Sequence, residues 1–314
     1  MSAVQVGSRP NDAQAMTYDR LLAQAMRDHA LPRAEARILL AAASRRTGEW
    51  LIAHGDEVPS GDAAGRFAAL AARRGNGEPV AYLTGLREFH GRPFRVGPAV
   101  LIPRPETECL VTTALAALAG IEAPRVLDLG TGSGAIAVTL ALERPDATMI
   151  ATDCSEDALA LARANAAALG AGGIAFRAGD WWQALPADEP PFHLVVSNPP
   201  YVADADPHLA QGDLRFEPRG ALAAGPDGGD ALRRIVAGAA PRLAHGGRLL
   251  LEHGFEQGPL CRALLLAHGF DEVRTLPDLA GLPRVTVGRR ALLGHDDGSA
   301  QSPGICLHRP VSVS

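Results

Sequence analysis

The sequence predicts an α/β protein, with a mainly parallel sheet flanked by helices and a small helical domain in front. Three observations lead there. From residue 125 onward, short apolar runs alternate with glycine turns and helical stretches, the rhythm of repeated strand–helix units. Residues 17–76 carry helical periodicity and no convincing strand. Hydrophobic residues make up 47% of the 314 positions against 21% charged, enough apolar surface for one large core or two ordinary ones.

Charge and cysteine content narrow the function. A net charge of −5 argues against electrostatic nucleic-acid binding, which favours a basic excess, but leaves a protein partner open. The four cysteines are scattered without a Cys-x-x-Cys pair, so neither a metal site nor a disulfide framework is expected. No long apolar span and no signal-peptide pattern is present, and a reducing cytoplasm is the expected location.

Residues 1–16 are polar and aperiodic and read as a flexible leader. Helical spacing begins at Thr17, which can cap a helix carrying Leu21, Leu22, Ala25 and Met26 on one side. Pro32 sits where a second helix opens, with Ala36, Leu39 and Leu40 on a common face. Residues 47–52 and 61–74 suggest two more helices, completing a domain over 17–77 that would grip a partner or cap the core. Residues 78–103 read as a linker with a hairpin turning at His90-Gly91. Residues 101–108 then open a helix with proline and acids at its start, as a helix N-terminus favours.

The core domain, 104–291, should hold strands near 126–129, 148–152, 174–177, 192–196, 248–252, 270–275 and 285–289. No helix separates the last two, so one of them is free to run antiparallel. Residues 202–229 form a long loop rich in Asp and Pro, a candidate cover for a substrate peptide. The segment 292–314 lacks periodicity and reads as a flexible tail.

Two stretches carry the chemistry. Asp128-Leu129-Gly130-Thr131-Gly132-Ser133-Gly134 follows the first core strand and opens a helix, so its backbone can approach a ligand closely. Such a loop binds a dinucleotide or S-adenosylmethionine. The Gly-x-Gly-x-Gly spacing and the acid Asp128 disfavour a pyrophosphate and suit a zwitterionic methionine. Asp153, about 20 residues on, ends the next strand, where a carboxylate can accept both ribose hydroxyls; a helix cap is the competing reading, better filled by Ser155. Trp181 follows the third strand and could lie against an adenine or simply in the core. The second stretch is Asn198-Pro199-Pro200-Tyr201, where two prolines break a buried strand into a rigid turn. It leaves an amide, a carbonyl and an aromatic ring at a strand's carboxyl end, the ligand edge of open α/β sheets.

Together these residues resemble the class I S-adenosylmethionine-dependent methyltransferases that methylate a planar nitrogen. Within them the chain resembles the glutamine N5-methyltransferases of peptide chain release factors. Besides the two stretches above, the resemblance rests on 78–85, on Arg104-Pro105-Glu106-Thr107-Glu108, on Gly179-Asp180-Trp181, on Phe216-Glu217-Pro218 and on Leu251-Glu252-His253-Gly254. It implies a Rossmann-like seven-stranded sheet with a small N-terminal helical domain that recognises the substrate. It also implies S-adenosyl-L-methionine as cofactor, held by Gly130, Thr131, Gly132, Ser133, Gly134, Asp153, Trp181 and Asn198, and no metal. Asn198, Pro199, Pro200 and Tyr201 would hold the substrate glutamine of a Gly-Gly-Gln motif, with Asn198, Pro199 and Tyr201 acting on it. The expected partner is a release factor, met by a monomer without direct nucleic-acid or membrane contact.

An amide nitrogen is a poor nucleophile, so such a site must orient the amide. The Asn198 side-chain oxygen and the Pro199 carbonyl could each accept one N–H, and these bonds strengthen as positive charge grows on nitrogen. Three other readings share the fold: an adenine N6-methyltransferase of nucleic acid, a ribosomal-protein glutamine methyltransferase, and a non-catalytic binding module.

Overall fold

The computed structural model describes residues 15–292, so the expected leader and tail fall almost wholly outside the described residues. Four helices open the chain: α1 (Tyr18–His29), α2 (Arg33–Ser44), α3 (Gly48–Ala53) and α4 (Ala63–Gly75). Thr17 and Thr47 cap α1 and α3 by accepting the Arg20 and Trp50 N–H groups, and Pro32 precedes α2. Leu21, Leu22, Ala36, Leu39, Leu40, Leu51 and Phe67 fill one apolar core between them. Each buried Leu or Phe among them contributes about 1.5–3 kcal/mol relative to exposure, which offsets the weak helicity of elements this short.

The connector differs from expectation at its start. Tyr82 and Leu83 belong not to the hairpin but to a short helix, α5 (Val80–Thr84), because Pro79 precedes it as Pro32 precedes α2. Val80 and Leu83 pack on the helical core, while Ala81 and Tyr82 pack on Val96 and Val100. The hairpin itself, β1 (Leu86–Phe89) and β2 (Arg92–Arg95), turns at His90-Gly91 as expected, both with positive φ. Phe89 and Phe94 carry it into the main core, and Asn165 bonds both the N–H and the carbonyl of Arg95.

The remaining strands form one seven-stranded sheet: β3 (Arg125–Leu129), β4 (Thr148–Asp153), β5 (Ala175–Ala178), β6 (Phe192–Ser197), β7 (Leu243–Glu252), β8 (Phe270–Pro277) and β9 (Pro283–Arg290). Their order is β5-β4-β3-β6-β7-β9-β8, and β9 is the strand that runs antiparallel. Helices α6 (Thr107–Ala117), α7 (Ala135–Glu143), α8 (Glu156–Leu169), α9 (Asp230–Ala239) and α10 (Gly258–Ala267) cover the two faces. Strand alternation separates two cores: Val126, Leu194, Val196 and Leu250 face one side, Leu127, Leu129, Val195, Leu249 and Leu251 the other. This is the Rossmann-like class I methyltransferase arrangement expected from sequence.

Candidate active site

Register places the site. Leu129 of β3 is paired with Thr152 of β4 and with Ser197 of β6, and Ser197 is paired with Leu251 of β7. The residues one step beyond that row are Gly130, Asp153, Asn198 and Glu252, side by side at the carboxyl edge. Between β3 and β6 the strand order reverses, and there a cleft of about 440 Å³ opens. Its size suits a small organic ligand.

Of the expected cofactor residues, Gly130, Thr131, Gly132 and Ser133 line this cleft, as do Asp153, Trp181 and Asn198. Gly134 does not; it caps α7, and a Cβ there would lie 3.1 Å from that of Ala162, so its smallness serves helix packing. Gly130 has φ 73°, and a Cβ on it would meet the Trp181 ring at 3.3 Å. The glycine therefore lets the indole close over the loop. Trp182, its neighbour, is tied away by donating to the Ile235 carbonyl at 3.1 Å.

The glycine loop does not offer a phosphate cradle. The N–H groups of Gly130 and Thr131 donate to the Thr152 carbonyl, that of Gly132 to Asp153 Oδ2, and that of Gly134 to the Thr131 carbonyl. Four of the loop's backbone donors are thus already used within the protein. Asp128 lies buried behind the loop, outside the cleft, and accepts from the Thr131 hydroxyl at 2.7 Å. It holds the loop through Oδ2, while its Oδ1 is buried without a partner. Burial pushes its carboxyl up to about 7, against the hydrogen bonds that lower it.

Asp153 accepts one N–H on each oxygen, from Gly132 at 2.9 Å and from Ser155 at 2.9 Å. Ser155 itself caps α8, accepting the Ala158 N–H, so the cap reading of Asp153 is not needed for that helix. A carboxylate with one bond per oxygen keeps acceptor capacity for a pair of hydroxyls. Asp180 and Arg234 form an ion pair that also lines the cleft.

At the proline corner, Asn198 and Pro200 line the cleft, whereas Pro199 is buried and Tyr201 half-buried. The Asn198 amide nitrogen donates to the Thr107 hydroxyl at 3.1 Å, and its Oδ1 is a buried acceptor without a partner. Such an orphan costs about 1–3 kcal/mol, a cost that a donor reaching it would remove. The Tyr201 carbonyl accepts from Gln257, which also bonds Gly228 and Gly254, and burial pushes the phenol up to about 12. The 202–229 segment is ordered, not open: Val202 bridges Ala223, and three 3-10 turns lie between. Its Pro218, Gly220 and Ala221 wall the cleft.

Three site residues escaped the sequence reading as participants. Glu217, from the same loop, accepts the Ile102 N–H at 2.9 Å and pairs with Arg104. Thr107 lines the cleft beside Asn198, and Glu252 is buried next to both. All three lie in stretches that carried the resemblance, but the strand ends had to be aligned before their roles could be read. Among the described residues, no group of three or more His, Cys, Asp or Glu is placed to hold a metal ion, and no helix is long and apolar enough to cross a membrane.

Residues 122–254 match the methyltransferase domain family, and residues 12–85 match the PrmC N-terminal domain family. The release factor glutamine methyltransferase of Neisseria gonorrhoeae is 52% identical over 274 residues, covering 87% of this chain and 98% of the relative. That of Bordetella pertussis is 54% identical over 270 residues, covering 85% and 98%. A methyltransferase structure from Pyrococcus furiosus aligns at 15% identity with a TM-score of 0.48, covering 72% of this chain and all of that one. With half-identity across nearly the full length of such relatives, the chain belongs to the release factor glutamine methyltransferase family.

Proposed function

We propose that this chain methylates the N5 side-chain nitrogen of a glutamine in peptide chain release factors, with S-adenosyl-L-methionine as methyl donor. The observation that carries the reading is the unpartnered Asn198 Oδ1 in the cleft's proline corner. S-adenosyl-L-methionine would supply an electrophilic methyl group on a sulfonium. Asp153 would take its ribose hydroxyls, Trp181 its adenine, and Gly130, Thr131, Gly132 and Ser133 would wall it, with Gly134 supporting the loop from behind. Loop amides consumed inside the protein favour this ligand over a dinucleotide.

Asn198 Oδ1 and the Pro199 carbonyl would each accept one N–H of the substrate amide, setting its plane and its nitrogen lone pair. Both bonds gain strength as the nitrogen becomes positive, so they stabilise the transition state more than the bound substrate. Pro200 stiffens the corner, and the half-buried Tyr201 behind it would present a ring face to the cationic region once substrate is seated. The charged nitrogen is acidic after transfer and can release its proton to water, so no dedicated base is required.

The helical domain, 17–77, is the proposed recognition module, joined through the 78–103 connector to the catalytic domain, 104–291. It exposes Ile38, Ile52 and Val58, apolar side chains available to a protein partner. We expect the active unit to be a cytoplasmic monomer. The decisive experiment incubates the chain with labelled cofactor and a release factor and maps the methyl group by mass spectrometry. Asn198→Ala should lower kcat about 100-fold with cofactor affinity retained. Label on nucleic acid instead, or near-normal turnover by the variant, would refute the reading.

A further inference from the structure

Asn198 can grip an amide N–H only if its oxygen, not its NH₂ group, is the free end of the side chain. A carboxamide is nearly symmetric in shape, and the two orientations differ only in what the surroundings donate and accept. Two neighbours break that symmetry. The Asn198 nitrogen donates to Thr107 Oγ1 at 3.1 Å, and Thr107, at the first turn of α6, is only 4% exposed. Since the Thr107 oxygen is occupied as an acceptor, its own proton must go elsewhere.

The nearby Glu252 carboxyl is the acceptor that the strand register offers it. Asn198 and Glu252 stand one step beyond the paired residues Ser197 and Leu251, so the two side chains are adjacent on neighbouring strands. Glu252 is 1% exposed; burial raises its pKa, and the Thr107 and Asn198 side chains lie close enough to its carboxyl to lower it in part. Above its raised pKa of about 7 the carboxyl is ionised and can only accept, so in that form it favours donors from both residues. We infer that Thr107 and Glu252 are positioning residues, which hold the Asn198 NH₂ group and thereby leave Oδ1 as the acceptor for the substrate. This rests on the role of Asn198 argued above.

The charged and titratable groups around Glu252 are Arg284 and Glu106, with Tyr201 and Cys109 close enough to feel its charge. Arg284 is committed to Asp278 and the His253 carbonyl rather than to Glu252. One oxygen of Glu252 is buried without a partner, so the carboxyl keeps acceptor capacity facing Asn198 and Thr107.

The test is steady-state methylation of a release factor by the full chain carrying Thr107→Val, Thr107→Ser or Glu252→Gln, with cofactor affinity measured by calorimetry. Thr107→Val keeps shape but removes the hydroxyl, and should lower kcat about tenfold or more at unchanged cofactor affinity. Thr107→Ser restores the hydroxyl and should recover most of the turnover. Glu252→Gln puts an NH₂ group where only acceptors fit and should lower kcat to a similar degree. Turnover by Thr107→Val within twofold of the parent overturns the inference, as does equal damage from Ser and Val. Should Thr107→Val fail to fold, turnover by Glu252→Gln within twofold of the parent overturns it instead. An inactive parent chain would refute the proposed reaction itself, a separate outcome from an active parent with indifferent variants.

Discussion

The Arg74 guanidinium of α4 donates to the Asp213 carboxylate at 2.9 Å, joining the helical domain to the loop that walls the cleft. Arg74 also holds Glu35 of α2 and the carbonyls of Gly77 and Glu78, and Arg215 of the same loop donates to the Asn76 carbonyl. A single partly buried cation thus ties two helices, the connector and the loop together. Networks of this kind outweigh isolated surface pairs.

Breaking that tie should be felt by the large substrate and not by the small one. Arg74→Ala is expected to raise the KM for a release factor severalfold while changing cofactor affinity less than twofold. Initial rates at varied release factor, beside calorimetry with S-adenosyl-L-methionine, measure both. Equal losses of the two affinities would mean that Arg74 only supports overall stability.

Asp153 leads to the opposite separation. Asp153→Ala should weaken cofactor binding about tenfold or more, since hydrogen bonds to a charged acceptor contribute about 1.5–3 kcal/mol. Saturating cofactor should restore much of kcat. If calorimetry finds the affinity unchanged, the carboxylate serves only Gly132 and Ser155.

The buried carboxyls make a prediction about pH. Asp128 and Glu252 titrate at about 7 in the fold, chiefly through burial, against 3.8 and 4.5 ordinarily. Between those values these two groups bind more protons in the fold than in the unfolded chain, so their contribution to stability declines as pH rises from about 4 to about 7 and stays lower above, while His253, lowered by burial, acts in the opposite sense. Glu252→Gln removes one of these buried charges. Its melting temperature relative to the parent should therefore be higher at pH 8 than at pH 5, by a few degrees. A difference that does not vary with pH would show that the carboxyl is not titrating in this window. A more stable but slower variant would also place Glu252 among residues kept for function.

Much of this molecule was legible in one dimension. Thr17, Pro32 and Ser155 open helices where their backbone chemistry places them, and the apolar runs of the core became strands. Those signals are local: a cap, a proline or a period acts within a few residues. The helix Val80–Thr84 was missed because five residues carry too little period to register, and contacts with two separate cores hold it. That Asp128 lies buried behind the loop could not be read from the sequence, because proximity along the chain to a binding loop does not say on which side of it a side chain falls.

By itself the sequence determined the α/β class, the element order, the glycine loop and the proline corner, because each depends on neighbours along the chain. Only the tertiary structure decided that Asn198 meets Thr107, that Glu252 lies beside both, and that Arg74 reaches Asp213. These pairs are separated by many tens of residues, and parallel strand register and helix docking bring them together. Which donor meets which acceptor across such distances is settled by packing, so the chemistry of the corner became readable only once the sheet was assembled.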